Sequence, residues 1–151
     1  MDLDVAAELG RPCPLDAAAG ISWLGQAGFY VGGAGLNLLI DPYLSDHLAK
    51  KYRGREFEHV RMVPAPLSPE QATEVDYVLC THRHGDHMDP EALPVIMEAS
   101  ARCRLIGPAA ERDSLSLLVR DPRRVIFAND GDIVSLGTGA HVEVLASAHE
   151  Q

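Results

Sequence analysis

Aromatic residues, cysteines, basic charge and long apolar runs are all scarce in this 151-residue sequence, and each shortage removes a class of protein. Aromatics make up 5% of residues, and the three cysteines are Cys13, Cys80 and Cys103. An odd, scattered set of thiols matches neither a disulfide framework nor paired CxxC zinc ligands, so reduced thiols in a cytoplasm are expected. Apolar runs such as Leu36 to Ile40 fall far short of the roughly 20 residues that a membrane helix requires. The first twenty residues hold Asp2, Asp4, Glu8 and Asp16, with no basic start leading into an apolar stretch, so no signal peptide is expected. Thirteen Lys and Arg face twenty-two Asp and Glu, for a net charge of −9. That balance argues against a nucleic-acid partner, because polyanion binding is largely phosphate neutralisation by basic side chains. Neither a membrane nor a nucleic acid is an expected partner.

What is present is the composition of a soluble globular protein, 46% hydrophobic and 23% charged, at the length of one domain spanning 1–151. The runs Ile21–Gly25, Phe29–Val31 and Leu36–Ile40 are β-prone, and Gly32-Gly33-Ala34-Gly35 reads as a hairpin turn between the last two. Residues 42–67 read as a long loop with a helical turn at Leu44 to Lys51. Ser68 to Gln71 has the spacing of a capping box opening a short helix. Tyr77 to Cys80 has the length and bounds of a buried strand. Helices are expected from Asp89-Pro90 to Ser100, with Leu93, Ile96 and Met97 inward, and from Pro108 to Arg120, with Leu115, Leu118 and Val119 inward. Strands are expected at Cys103–Ile106, Val125–Ala128, Ile133–Leu136 and His141–Ala146. A β-meander followed by βαβαβ alternation makes an α/β layered domain.

The densest chemistry lies in Thr81-His82-Arg83-His84-Gly85-Asp86-His87, directly after the strand 77–80. A strand delivers such a cluster to its carboxyl end, where open α/β sheets place their ligand sites. His82 and His84 are one residue apart, so on extended backbone they point the same way and can grip one ion. A turn at Gly85 sends Asp86 and His87 toward a second position, while Arg83 points away from its ligating neighbours. Imidazole and carboxylate suit Zn, Mn or Fe(II), and an open coordination position lets bound water ionise near neutral pH. The other feature is a basic window. Lys50, Lys51, Arg53, Arg55 and Arg61 fall in twelve residues with Glu56 and Glu58, a local +3 that leaves −12 for the remainder. It reads either as a solvated loop or as an anion-binding lip beside the site.

T-H-x-H-x-D-H after a strand resembles the hallmark of the metallo-β-lactamase-fold hydrolases. Trp23 to Phe29, Leu39-Ile40-Asp41-Pro42-Tyr43, Arg61-Met62-Val63-Pro64 and Leu105-Ile106-Gly107-Pro108 look more specifically like the branch that contains L-ascorbate-6-phosphate lactonase. The resemblance spans residues 20 to 149. It implies a metallo-β-lactamase-type αββα sandwich, of which this chain supplies the first αβ half. It further implies that His82 and His84 bind a first metal, with His149 as that metal's third ligand after the last strand, and that Asp86 and His87 bind a second. Asp41, after the third strand, is expected to support a ligand from behind, although a plain turn role before Pro42 fits equally well. His47, His59 and His141 match no position of the motif.

In that family the remaining ligands come from a second αβ half, whereas this sequence stops at Gln151. The expectation is therefore an N-terminal half, either part of a longer protein or completed by a second chain, with a homo-oligomer also open. The implied activity is a metal-dependent hydrolase holding one or two divalent ions, Zn or Mn. It acts on a small anionic substrate, a phosphorylated lactone or ester, through activated water, with Asp86 as ligand and proton acceptor and Arg53, Arg55 and Arg61 as substrate contacts. Two competing readings remain: a phosphodiesterase or nuclease of the same fold, and an inactive metal-binding fragment that needs a partner half.

Overall fold

The computed structural model describes residues 4–147. Its sheet starts as a meander of β1 (Gly20–Gly25), β2 (Gly28–Gly33) and β3 (Leu36–Ile40), each antiparallel to the last. The hairpin expected at 32–35 forms on a two-residue loop, Ala34-Gly35, with φ of +50° and +77°. Positive φ at both central positions gives the mirror-image turn whose twist matches the strands it joins, and Gly35 takes it without strain. From β3 onward the sheet is parallel: β4 (Tyr77–Leu79), β5 (Arg104–Pro108) and β6 (Val125–Ala128) follow in sequence order. A separate hairpin pairs β7 (Ile133–Gly137) with β8 (Ala140–Glu143).

Period-two alternation divides the sheet into two apolar faces. Leu39, Val78 and Leu105, all fully buried, point toward α1 (Val5–Leu9), α3 (Ala92–Ala99) and α4 (Arg112–Leu118), meeting Leu9, Leu93, Ile96, Met97 and Leu115 there. Leu38, Leu79, Ile106 and Ile126 point the other way, against Val134, Leu136 and Val142 of the β7–β8 hairpin. That cover stops short of the meander. Ile21, Trp23 and Phe29, in register with Val31 and Ile40 on the hairpin's side of the sheet, stay 70%, 53% and 39% exposed.

Several boundaries differ from the sequence reading for identifiable reasons. The helix expected at 44–51 forms at His47–Tyr52 (α2), because Tyr43 and Leu44 are buried instead and Ser45 is bound by Asp89. The helix expected from Asp89 starts at Ala92 with Glu91 as its N-cap. Asp89 lies just before it, accepts from the amides of Glu91 and Ala92, is fully buried and also takes the Ser45 amide and hydroxyl. One carboxylate thus ties the loop after β3 to the helix after β4. Ser68 and Gln71 form their capping box around a single 3-10 turn. The chain from 109 starts as a 3-10 turn and becomes α4 only over Arg112–Leu118. The last strand is shorter than expected, since Val144 and Ala146 bond back to the 130–132 turn and not along the ladder. Among the described residues, no helix is long and apolar enough to cross a membrane.

Candidate metal centre

Parallel pairing of β3 and β4 ends both strands at one level, with the Asp41 amide donating to the Leu79 carbonyl at 2.8 Å. Asp41 then turns into the left-handed region at φ +46° and is 4% exposed. Strained, non-glycine backbone of this kind persists only where surrounding contacts hold it. Those contacts lie across the strand ends. Asp41 Oδ1 accepts from the Thr81 amide at 2.8 Å, and Oδ2 accepts from Thr81 Oγ1 at 2.7 Å and from His87 Nδ1 at 2.8 Å.

This arrangement fixes two imidazoles at once. With His87 Nδ1 bonded to Asp41, Nε2 is the nitrogen left for another partner. The Thr81 hydroxyl gives its single proton to Asp41, so its oxygen accepts from His82 Nδ1 at 3.0 Å, and the His82 lone pair falls on Nε2. That Nε2 faces His84 Nδ1 at 3.1 Å. Two nitrogens on one tetrahedral zinc stand about 3.3–3.4 Å apart, given bonds of roughly 2.0–2.1 Å, so this pair fits a shared ion. The His82 ring centroid lies 4.8 Å from that of His84 and 3.9 Å from that of His87. Asp86 Oδ2 is 4.0 Å from His87 Nε2. Among the described residues, no three or more His, Cys, Asp or Glu side chains are arranged to hold an ion as they stand. The fit therefore rests on the facing His82–His84 nitrogens and on the oriented His87. His149, the expected third ligand, lies outside the described residues.

The loop itself is a single helical turn, in which the His87 and Met88 amides donate to the His84 carbonyl and buried Met88 anchors the far side. At Gly85 a Cβ would stand 3.0 Å from Leu48 Cδ2, so a larger residue there needs the Leu48 side chain of α2 to shift. The His87 pKa is raised above its usual 6.5, chiefly by the hydrogen bond to Asp41, with burial opposing and the Asp86 charge assisting. Nearby Cys80 is buried, and burial pushes its thiol well up, which disfavours it as a thiolate donor.

The arginines of the basic window separate into two groups. Arg53 and Arg55 are exposed, with Arg55 over the Tyr52 ring at 5.5 Å. Arg61 turns inward: its side chain is 11% exposed, stacks 4.6 Å from the Tyr43 ring centroid and donates to the Tyr43 carbonyl. Arg61→Ala is expected to lower stability by about 2 kcal/mol, through loss of a buried charge-assisted bond and a stacking contact. Arg53→Ala and Arg55→Ala should stay within roughly 0.5 kcal/mol of the parent, as surface changes do. Urea midpoints on the three variants check this, and an unchanged Arg61→Ala midpoint would contradict the anchoring role.

No spacing in the sequence connects His59 to the motif, yet it lies beside the motif loop. Its Nε2 is 3.9 Å from Asp86 Oδ2 and 3.5 Å from Gln26 Nε2, and its ring meets Tyr43 edge-on at 5.8 Å. A cleft of about 410 Å³ opens here, lined by Lys51, Tyr52, Phe57, His59, His84 and Asp86. His47 pairs with Glu91 at 3.4 Å on the α2 side, and His141 lies with Glu143 on β8.

Residues 20–150 match the family model described as a beta-lactamase superfamily domain. Over 84 residues the chain is 34% identical to the mitochondrial N-acyl-phosphatidylethanolamine-hydrolyzing phospholipase D of Saccharomyces cerevisiae, covering 56% of this chain and 16% of that protein. Over 135 residues it is 28% identical to a metal-dependent hydrolase of Pyrobaculum neutrophilum, covering 85% and 50%. Among solved structures, a metallo hydrolase from the archaeon Ignicoccus hospitalis shares the fold with a TM-score of 0.54 at 19% identity, over 87% of this chain and 49% of that one. The chain thus spans half or less of the length of these relatives.

Proposed function

Because this chain belongs to the beta-lactamase superfamily, we propose that it carries the principal metal-binding loop of a metal-dependent hydrolase acting on a small anionic ester or lactone. The observation that carries the reading is the facing His82 Nε2 and His84 Nδ1, 3.1 Å apart, beside a His87 that Asp41 holds by its other nitrogen. A divalent ion, zinc or manganese, would supply Lewis acidity and a lowered pKa for water at this place. His82, His84 and His149 would hold one ion, and Asp86 with His87 a second. The chain's own contribution is orientation: Asp41 fixes His87 directly and His82 through Thr81. Asp86, 30% exposed at the cleft wall, takes the proton released as water attacks. In this reading Lys51 on the cleft wall and the exposed Arg53 and Arg55 contact a substrate phosphate, while Arg61 anchors their loop.

The chain is read as the first αβ half of an αββα sandwich. The exposed Ile21, Trp23 and Phe29 support this, because a second layer would cover such a face. So does coverage of about half the Pyrobaculum and Ignicoccus proteins. A covering half could come from the same polypeptide, from a second chain or from another copy of this one.

A phosphodiesterase reading has one observation in its favour, the 34% identity to a protein named for phospholipase D activity. The discriminating experiment loads the purified protein with zinc or manganese and presents phosphorylated lactones, their unphosphorylated counterparts, bis-p-nitrophenyl phosphate and N-acyl-phosphatidylethanolamine. Turnover of phosphorylated lactones alone is expected. Turnover confined to the two phosphodiesters would replace the lactone reading. Bound metal with no turnover of any substrate would leave a metal-binding module.

A further inference from the structure

We propose that His59, from outside the histidine motif, is a positioning residue for Asp86, restraining its carboxylate together with His87. The inference rests on the metal-site reading above and extends it to a residue that no motif position supplies. Asp86 Oδ2 lies near two imidazole nitrogens, His87 Nε2 at 4.0 Å and His59 Nε2 at 3.9 Å. The first is adjacent in sequence. The second arrives on the stretch after α2, and the structure secures that stretch on both sides of His59. Arg61 binds the Tyr43 carbonyl and stacks on its ring, while the Gly54 amide donates to Glu58 Oε1 at 2.6 Å. Tyr43, itself fully buried, meets the His59 ring edge-on at 84°. The imidazole is therefore clamped, not swinging in solvent.

Its two nitrogens have opposite surroundings. Among the described residues Nδ1 is buried with no hydrogen-bond partner, whereas Nε2 lies 3.9 Å from the Asp86 carboxylate and 3.5 Å from the Gln26 amide nitrogen. The Asp86 carboxylate only accepts and carries a full charge, so it draws the N–H to Nε2 and leaves the lone pair on Nδ1. The Gln26 amide nitrogen, itself a donor, is then a neighbour of Nε2 and not its acceptor. His59 thus presents a donor to a carboxylate. The 3.9 Å gap is about 1 Å longer than a charge-assisted hydrogen bond. Contacts between catalytic groups are often loose before the reactive complex forms and close within it. Both side chains are partly open, 27% and 30% exposed, so the effect belongs at the low end for groups that orient a ligand.

The test is competitive zinc titration against a chromophoric chelator, using the whole protein and three variants. His59→Ala removes the donor. His59→Phe keeps ring volume without it, and His59→Gln keeps an N–H of similar reach. Weakened zinc binding by about tenfold is expected for His59→Ala and His59→Phe, the lower bound for residues that orient a metal ligand. His59→Gln should recover most of that loss, which a packing role would not allow. Zinc affinity equal to wild type in His59→Ala would overturn the proposal, as would His59→Phe matching His59→Gln. Wild-type protein that fails to bind zinc would overturn the site reading itself, a result distinct from wild-type binding that every variant retains.

Discussion

His84→Ala is expected to weaken zinc binding by at least about 100-fold and to remove hydrolysis with it. Residues that only orient a ligand cost roughly 10–100-fold when lost, and a ligand itself costs more. The geometry makes His84 unusually hard to replace. Its Nδ1 faces His82 Nε2 at 3.1 Å, a pairing that alanine abolishes. His82→Ala should behave alike, whereas His47→Ala and His141→Ala, whose rings pair with Glu91 and Glu143, should bind zinc as the parent does. Equilibrium dialysis followed by elemental analysis separates the two groups. Full zinc content in His84→Ala would place the ion elsewhere.

Asp41→Ala should show the second large effect, on stability and on metal together. Three donors converge on that carboxylate, and alanine leaves the Thr81 amide short of a partner while keeping a positive φ that alanine tolerates poorly. A loss of about 2–4 kcal/mol in unfolding free energy follows from those terms. Zinc affinity should drop by about 10–100-fold, because both His82 and His87 lose their tether. Asp41→Asn separates charge from shape, since asparagine accepts the left-handed conformation. Its signature is pH dependence. With Asp41 present the His87 pKa is raised above 6.5, so in chelator-treated protein the pair stabilises fully below about 6.5 and that contribution fades as pH rises through the raised value. Zinc competes with the same proton, so affinity climbs over that interval. Asp41→Asn should move the climb to lower pH. Chelator competition between pH 5.5 and 8.5 reads the shift, and identical profiles for the two proteins would contradict the coupling.

How much of this could be read from residues alone varies with the range of the interaction. The His82-to-His87 cluster, the Ala34-Gly35 turn and the inward Leu93, Ile96 and Met97 are local patterns, and each was legible. Asp41 was legible only as an acidic residue after a strand; that it serves Thr81, His82 and His87 together depends on β3 and β4 ending at one level. His59 was not legible, because its place follows from Arg61 and Tyr43, contacts that no spacing encodes. The helix α1 was missed for a related reason. Its five residues are too few to hold a helix by propensity, and burial of Val5 and Leu9 supplies what propensity lacks. The basic window was legible only as a set. Five basic side chains look alike in sequence, and only packing separates Arg61, which braces the loop, from the exposed Arg53 and Arg55.

The unequal reach of the site's contacts also governs how an ion and folding influence each other. His82 and His84 are neighbours along the chain and can chelate before any strand has paired, whereas Asp41 and His87 are 46 residues apart and meet only once the parallel crossover has closed. An ion therefore has some affinity for the denatured chain, and by mass action that affinity subtracts from the stabilisation it gives the native one. Zinc should raise the melting temperature by less than its native affinity implies. At high concentration it should slow refolding, by holding a local chelate that must loosen before Asp41 can reach its place.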